Sequence, residues 1–185
     1  LARKKRTKAA AMRSGESGVD RIVPIARISV TLKLSAAIAA MEAPFRKPAG
    51  RLDAIREGLY DCMWDDAGIM RTEAGLLRAR ARLTELSEAL TATGVADGQR
   101  GFNVTWHDWL NLRSLIDVSR VIVEAALSRE DSRGAHFRDD FPATGDLPSS
   151  SFTVVRQRNG ELDITRSPVQ FTRVAPGQTI LEDAA

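Results

Sequence analysis

The sequence is poor in the residues that disulfide-bonded proteins, zinc proteins and single-strand nucleic-acid binders depend on. Its 185 residues include one cysteine, two histidines and one tyrosine, and only 5% are aromatic. The single cysteine, Cys62, excludes an intramolecular disulfide framework, and with only His107 and His136 beside it a dedicated zinc site is not expected. With 43% hydrophobic and 28% charged residues, the composition is that of an ordinary globular protein.

Long uninterrupted apolar runs are also missing. The most apolar stretch, 22–43, contains Pro24, Arg27 and Lys33, and an unpaired charge at mid-bilayer depth costs at least ~2.5 kcal/mol. We therefore expect no membrane-spanning helix. The first six residues lack the apolar core of a secretory signal, and a start at Leu1 instead of Met predicts a processed chain or a piece of a longer one.

Positive charge is concentrated at the start of the chain. Residues 1–48 hold 11 Lys and Arg against 3 Asp and Glu, whereas the remainder holds 16 against 21. The first segment is alanine-rich and is predicted to be a basic, helical linker from an upstream domain. An alternative is an arm that contacts nucleic acid or an anionic membrane surface. Without interleaved aromatic residues, nucleic acid is not expected as a partner.

Apolar residues at helical spacing predict a helix over 19–43 and three clearer helices after it. The first of these three runs from about Arg51 to Asp66 with Cys62 on its apolar stripe, and the second from Glu73 to about Leu90 with Thr72 as its N-cap. The third runs from Thr105, with Asp108 as a capping-box partner, to about Ser128. It is apolar on most sides, which predicts a nearly buried helix.

Short connections between these helices predict an antiparallel three-helix bundle over 49–142. Two β-rich runs, 152–155 and 162–165, flank Asn159-Gly160, which is a strong hairpin signal, and 169–174 is a candidate third strand. The predicted fold is therefore mainly α, with a basic N-terminal helical arm over 1–48 and a loop with a short C-terminal β-hairpin tail over 143–185.

Catalytic signatures are absent from the sequence. It contains no Gly-x-Gly-x-x-Gly, no phosphate-binding loop, no His-Glu-x-x-His and no Gly-x-Ser-x-Gly. One segment, 128–142, is unusually dense in charge, with three arginines, one histidine and four carboxylates at the end of a helix. Charge count alone favours a solvated helix C-terminus for this segment. The functional alternative is an arginine- and histidine-bearing loop that faces a neighbouring domain or an anionic ligand.

The string Ser-Arg-Gly-Ala-His-Phe-Arg-Asp-Asp-Phe-Pro over 132–142 resembles the signature that closes the helical C-terminal domain of succinate dehydrogenase and fumarate reductase flavoprotein subunits. Met-Trp-Asp-Asp-Ala-Gly-Ile-Met-Arg over 63–71 is similar to the end of that family's first helix, and 73–77 and 125–129 also follow its pattern. The resemblance covers roughly Arg51 to Pro142 in the right order and agrees with the three-helix prediction.

The resemblance implies an oxidoreductase that carries FAD and moves a hydride between a dicarboxylate and the flavin. The family's flavin-binding and catalytic motifs lie upstream of this domain, so no catalytic, cofactor-binding or metal residue is assigned here, and no FAD is expected on this chain alone. The implied partners are a separate FAD-binding domain or subunit and an iron–sulfur subunit. The implied location is the cytoplasm, where partner subunits could hold the protein at the inner face of the membrane.

Six positions are candidates for contact with the flavin domain or for indirect influence on its site: Arg129, Arg133, Gly134, His136, Arg138 and Asp139. Two residues depart mildly from the family's pattern, because Asp131 stands where glutamate is more frequent and Phe137 where tyrosine is common. Ala135 favours the succinate and fumarate branch over the related L-aspartate oxidases. Two alternatives stay open: an L-aspartate oxidase-type domain, and a non-catalytic helical adaptor with a basic anion-binding arm.

Overall fold

The computed structural model describes residues 25–158 and 160–178, and within them the protein is mainly helical, as predicted. The four α-helices are α1 (Ile25–Glu42), α2 (Leu52–Asp65), α3 (Glu73–Ala92) and α4 (Val104–Leu127). The chain divides into two compact units, Leu1–Ala39 and Ala40–Ala185, and the second contains α2 to α4. The first half of the basic arm, 1–24, and with it the predicted helix start at residue 19, lie outside the described residues.

The core of the second unit forms where the apolar stripes of α2, α3 and α4 meet. Leu76, Ala79 and Leu83 are completely buried, and Cys62 is buried with its Sγ 3.8 Å from the carbonyl oxygen of Ala79. Cys62 is therefore a core residue, as predicted. The buried apolar side chains of the three helices are Leu52, Ile55, Leu59, Cys62, Leu76, Ala79, Leu83, Leu86, Leu90, Trp109, Leu112, Ile116, Val123 and Ala126.

Helix α4 is less covered than its sequence predicts. Its inner stripe is buried, but Leu115, Val118 and Ile122 are 42%, 57% and 41% exposed. The prediction of a nearly buried helix is therefore wrong for the described chain. These three residues lie at i, i+3 and i+7, so they form one continuous apolar stripe on the outer side of the helix.

The N-termini of α3 and α4 are capped by side chains, and the sequence predicts the first cap correctly and the second incorrectly. Thr72 accepts a hydrogen bond from the backbone N–H of Gly75, as its N-cap position predicts. Helix α4 begins one residue earlier than predicted, and its N-cap is Asn103, which accepts from Trp106 N–H at 2.8 Å. The capping box of Thr105 and Asp108 is therefore wrong. Asn103 is buried and its amide also donates to the carbonyls of Asp97 and Gln99, which fixes the preceding loop.

Four short strands form two two-stranded sheets. Strands β1 (Met70–Arg71) and β2 (Phe137–Arg138) pair in parallel, and β3 (Ser151–Arg158) pairs antiparallel with β4 (Glu161–Pro168). Residues 169–174 form no strand, because pairing ends with a single bond from Val169 N–H to the carbonyl of Ser150. Strand β3 lies against α4, and Arg166 donates to the carbonyl of Ser128 at 2.5 Å.

None of the helices in the described part of the chain combines the length and the hydropathy that crossing a membrane requires.

Candidate interdomain site

The charged segment 128–142 is organised around Arg138, whose side chain is almost completely buried. Its guanidinium donates to both carboxylate oxygens of Asp140, at 2.6 and 2.7 Å, and its Nη1 donates to the carbonyls of Ala126 and Arg129 at 3.1 Å each. The last carbonyls of a helix have no partner within the helix. Arg138 therefore closes the C-terminus of α4 within the chain itself.

Asp140 extends this hydrogen-bond network to the first residue of α3. Its Oδ2 accepts from the backbone N–H of Glu73 at 2.7 Å, one residue after the cap provided by Thr72. The hydrogen bonds from the Arg138 guanidinium, together with that N–H, hold the pKa of the Asp140 carboxyl well below its usual range. One ion pair thus joins the end of α4 to the beginning of α3.

Ser132 fixes the loop between these anchors. Its hydroxyl accepts from Arg138 N–H and donates to the carbonyl of Phe141, both at 2.8 Å. The backbones of Arg133 and His136 exchange two hydrogen bonds of 2.8 and 3.0 Å, and Gly134 turns the chain between them with φ +56°. A side chain at such a positive φ is strained, so this tight turn favours glycine.

Arg133 extends from the turn toward the segment that leads into β3. It donates to the carbonyls of Thr144 and Asp146 at 2.6 and 3.0 Å and to Ser150 Oγ at 2.6 Å. Asp131 lies between Arg129 and Arg133 and pairs with both, at 3.0 and 2.9 Å. The three arginines of the segment are therefore held in place by the chain itself.

His136 meets Arg71, a residue 65 positions away in the sequence. The parallel pairing of β1 with β2 brings them together, and Arg71 Nη1 lies 2.9 Å from His136 Nδ1. Arginine can only donate, so Nδ1 accepts and the ring proton is on Nε2. Burial, and the charges of Arg129 and Arg71 beside it, lower the pKa of His136, which favours this neutral ring.

The Nε2 atom of His136 is buried and has no hydrogen-bond partner among the described residues. An unsatisfied buried donor costs about 1–3 kcal/mol. Arg71 is itself anchored, since its Nε donates to the carbonyls of Ala67 and Gly68 at 3.1 and 2.7 Å. The imidazole therefore keeps one unused donor at a rigid, positively charged position.

Five of the six predicted positions thus lie in or beside the turn at Gly134: Arg129, Arg133, Gly134, His136 and Arg138. The sixth, Asp139, directly follows β2. Gly134 and Asp139 are exposed, and Asp139 N–H donates to the carbonyl of Arg71. The interdomain role of all six positions stays a prediction. Arg71 and Ser132 were not singled out from the sequence, although both lie within segments that carry the family resemblance.

The described residues do not fit the binding of FAD by themselves. A dinucleotide needs a glycine turn between a strand and a helix that presents backbone N–H groups to the pyrophosphate. Here the glycines with positive φ, at 134, 145, 160 and 177, lie in loops and turns, and none of them opens a helix.

Comparison with known proteins identifies relatives of this arrangement. Residues 56–180, more than half of the chain, match the family described as fumarate reductase flavoprotein C-term. The fumarate reductase flavoprotein subunit of Mycobacterium tuberculosis is 36% identical over 131 residues, which are 70% of this chain and 22% of that protein. L-aspartate oxidase 1 of Ralstonia nicotianae is 42% identical over 94 residues, which are 51% of this chain and 16% of that protein.

A solved structure shares both fold and sequence. Mycobacterium smegmatis Sdh1, in complex with UQ1, superposes with a TM-score of 0.68 at 30% identity, covering 76% of this chain and 24% of that one. The chain spans about a fifth of the length of the first curated relatives that it matches. The resemblance inferred from the segments 63–71 and 132–142 is confirmed, and this chain belongs to the C-terminal domain family of succinate dehydrogenase and fumarate reductase flavoprotein subunits.

Proposed function

We propose that this domain braces the flavin domain of a complete FAD-dependent oxidoreductase of the succinate dehydrogenase and fumarate reductase type. The observation that carries the proposal is an exposed apolar turn directly beside the charged loop. Trp64, Ile69 and Met70 are 81%, 76% and 64% exposed. Ile69 and Met70 directly precede Arg71, and Trp64 lies in the last turn of α2. Met70 is paired with Phe137 through β1 and β2. Large apolar side chains grouped on a surface are typical of an interface.

The rigidity of the neighbouring loop supports a bracing role. An interface that must hold another domain in one position needs contact residues whose own conformations are fixed. Arg129, Arg133 and His136 meet this condition, because each is anchored by hydrogen bonds to the chain. Gly134 and Asp139 are exposed residues of the same loop. The buried side chain of Arg138 holds this loop against the end of α4.

The proposal includes the architecture that presents this surface. A shared core and the short connections between α2, α3 and α4 support an antiparallel three-helix bundle. We assign the bundle to 49–142, the basic helical linker to 1–48 and the hairpin tail to 143–185. Strand β3 against α4 supports a hairpin that completes the bundle instead of standing apart.

The complete protein is proposed to exchange a hydride between a dicarboxylate and FAD, with an iron–sulfur subunit as its electron-transfer partner. Relatives that are named as flavoprotein subunits support a multi-subunit assembly. The exposed Leu115 and Val118 on α4 offer a second apolar face for such a subunit. Through these partners the protein would lie peripherally at the inner face of a membrane.

A reconstitution experiment tests the bracing role. The present chain and the flavin-binding polypeptide of the same protein are purified separately and mixed, and the dissociation constant and retained flavin absorbance are measured. Ile69→Asp should weaken association more than tenfold, because it places a charge in the apolar contact. Val104→Asp is the matched control, since Val104 is 74% exposed at the opposite end of α4. Failure of the unsubstituted chain to associate, or equal effects of both changes, would contradict the proposal.

L-aspartate oxidation is the second candidate activity. Its support is the 42% identity to L-aspartate oxidase 1 over 94 residues, a higher identity over a shorter stretch than that of the fumarate reductase subunit. The two activities separate in one assay on the reconstituted protein. Bleaching of the flavin by succinate supports the first activity, and bleaching by L-aspartate supports the second.

A further inference from the structure

The pairing of Arg71 with His136 forms one wall of a cleft. The cleft has a volume of about 370 Å³, and it is lined by Arg71, Arg129 and His136 together with apolar groups from α4 and β3. Ile122 and Ala125 come from α4, and Phe152, which is 59% exposed, comes from β3. The cleft thus combines three nitrogen-bearing side chains with an apolar lining.

The charges around the cleft do not balance within the described chain. Arg71 and Arg129 line the cleft with two positive charges, and Asp131, the acidic partner of Arg129, is shared with Arg133. Arg71 forms its hydrogen bonds with backbone carbonyls and a neutral imidazole, and no carboxylate among the described residues pairs with it. The cleft therefore favours an anionic ligand.

The unused donor of His136 supports the same conclusion independently. His136 is 9% exposed, its Nδ1 is occupied by Arg71, and its Nε2 has no partner in the part of the chain described here. A carboxylate is an acceptor with two oxygens and about four lone-pair positions. It can therefore accept from a guanidinium and from an imidazole N–H at the same time.

From these observations we propose that the Arg71–Arg129–His136 cleft binds the carboxylate of an aspartate or glutamate side chain from the flavin-binding part of the protein. This inference rests on the proposed bracing function and specifies its polar contact. A side chain is favoured over a free carboxylate because exposed apolar residues accompany the cleft: Phe152 lines it, and Ile69 and Met70 directly precede its lining residue Arg71 in the chain. A folded partner would cover them. The match covers 22% of the Mycobacterium tuberculosis relative, whose remaining length offers many candidate side chains.

The first test measures association of this chain with the flavin-binding polypeptide. Arg71→Gln removes the charge, and we expect it to raise the dissociation constant at least tenfold and to reduce the salt dependence of binding. Arg156→Gln is the matched control, because Arg156 is exposed on β3, the strand that contributes Phe152 to the cleft. We expect it to change the constant less than twofold. Association that responds equally to both changes would overturn the inference while leaving the bracing function intact.

The second test needs no substitution in the cleft, so it does not depend on how a variant folds. The chain carrying His107→Gln has one histidine left, and its imidazole 15N signals are followed by NMR during addition of acetate. Acetate should shift the Nε2 signal of His136, whereas acetamide, its neutral counterpart, and chloride at equal ionic strength should not. An unchanged Nε2 signal would overturn carboxylate binding.

The source of the carboxylate is tested in the same sample. Succinate that binds the isolated chain at least a hundredfold more tightly than acetate would identify a free dicarboxylate as the occupant and overturn the assignment to a protein side chain. If the unsubstituted chain does not associate with the flavin-binding polypeptide, the bracing function and the side-chain source both fail, and the acetate titration alone decides whether the cleft binds a carboxylate.

Discussion

Arg138 and Asp140, two residues apart in the loop after α4, form a two-pronged ion pair that also connects two helix termini. The guanidinium donates to carbonyls at the end of α4, and the carboxylate accepts from the first backbone N–H of α3. The Arg138 side chain is 2% exposed and that of Asp140 is 29% exposed, so the pair is only partly buried. Breaking such a pair on one side still leaves the other charge without its partner. The pair is therefore a structural link between helices, in addition to any role at an interface.

Arg138→Ala should lower the free energy of unfolding by about 2 kcal/mol, because it removes the hydrogen bonds to the Ala126 and Arg129 carbonyls and the ion pair with Asp140. Arg138→Lys should recover only part of this loss, since an ammonium cannot make the two-pronged contact. Urea denaturation provides the measurement. Arg51→Ala is the matched control: Arg51 also pairs with an aspartate two residues on, but both side chains are exposed. An equal effect of Arg51→Ala and Arg138→Ala would contradict the structural link.

The same pair should make the fold sensitive to acid. Because the folded-state pKa of Asp140 is depressed, its contribution to stability is fully present well above the unfolded-state value of about 3.9. It is lost as the pH falls below that value toward the lower folded-state pKa. Asp140→Asn should therefore reduce the slope of stability against pH between about 5 and 2. An unchanged slope in the variant would show that other carboxyl groups dominate acid unfolding.

His136 should also contribute to the pH dependence, at higher pH. Its pKa is lowered by burial and by the nearby Arg129 and Arg71, so the folded chain resists the proton that the unfolded chain accepts below about pH 6.5. Stability should accordingly fall as the pH decreases from about 7 to 5, and His136→Gln should flatten that decrease. Thermal unfolding at several pH values is the measurement, and the same substitution at exposed His107 is the control.

The first turn of α4 should depend on Asn103. Asn103→Ala removes the N-cap and two further hydrogen bonds of a buried amide, so we expect a loss of about 2 kcal/mol in the free energy of unfolding. Asn111→Ala is the matched control, because Asn111 is exposed within the same helix. Alanine has the higher helix propensity there, so that change should be neutral or slightly stabilising. Denaturation midpoints that move equally would argue against the cap.

The loss of stability on replacing a core leucine by alanine should increase with the burial of that leucine. Leu83 of α3 is completely buried, and Leu83→Ala should cost about 2–5 kcal/mol through lost burial and the cavity that remains. Leu77 lies on the same helix with 44% of its surface exposed, so Leu77→Ala should cost much less. Urea denaturation of both variants checks the difference. Similar losses at the two positions would mean that the apolar stripe of α3 is assigned incorrectly.

The parts of the fold that depend on local spacing could be predicted from the sequence. The apolar stripes gave α2 and α3 to within about two residues, and Thr72 was recognised as a cap because its position before the stripe is distinctive. Asn103 and Thr105 are both acceptable caps two residues apart, and spacing alone does not decide which one the first turn uses. The exposed stripe of α4 could not be foreseen, because its coverage depends on a surface outside the helix.

The sequence likewise predicts only part of the candidate site. The density of charge and the family resemblance pointed to Arg129, Arg133 and His136, but neither indicated that Arg71 would contact His136. That contact comes from a two-residue parallel pairing between segments far apart in sequence, which leaves no periodic pattern. Arg138 was expected at an interface, whereas its side chain lies inside and binds helix carbonyls, a role that residue type alone does not reveal.

The parallel pairing of β1 with β2 also has a consequence for the order of folding. The two strands lie at the ends of a chain segment that contains all of α3 and α4. Closing a loop of that length costs conformational entropy, and the hydrogen bonds of two two-residue strands cannot offset that cost alone. The helices must therefore pack before Arg71 and His136 can meet. We expect the cleft to be among the last features to form after synthesis, so that a partner which recognises it selects finished molecules over incomplete ones.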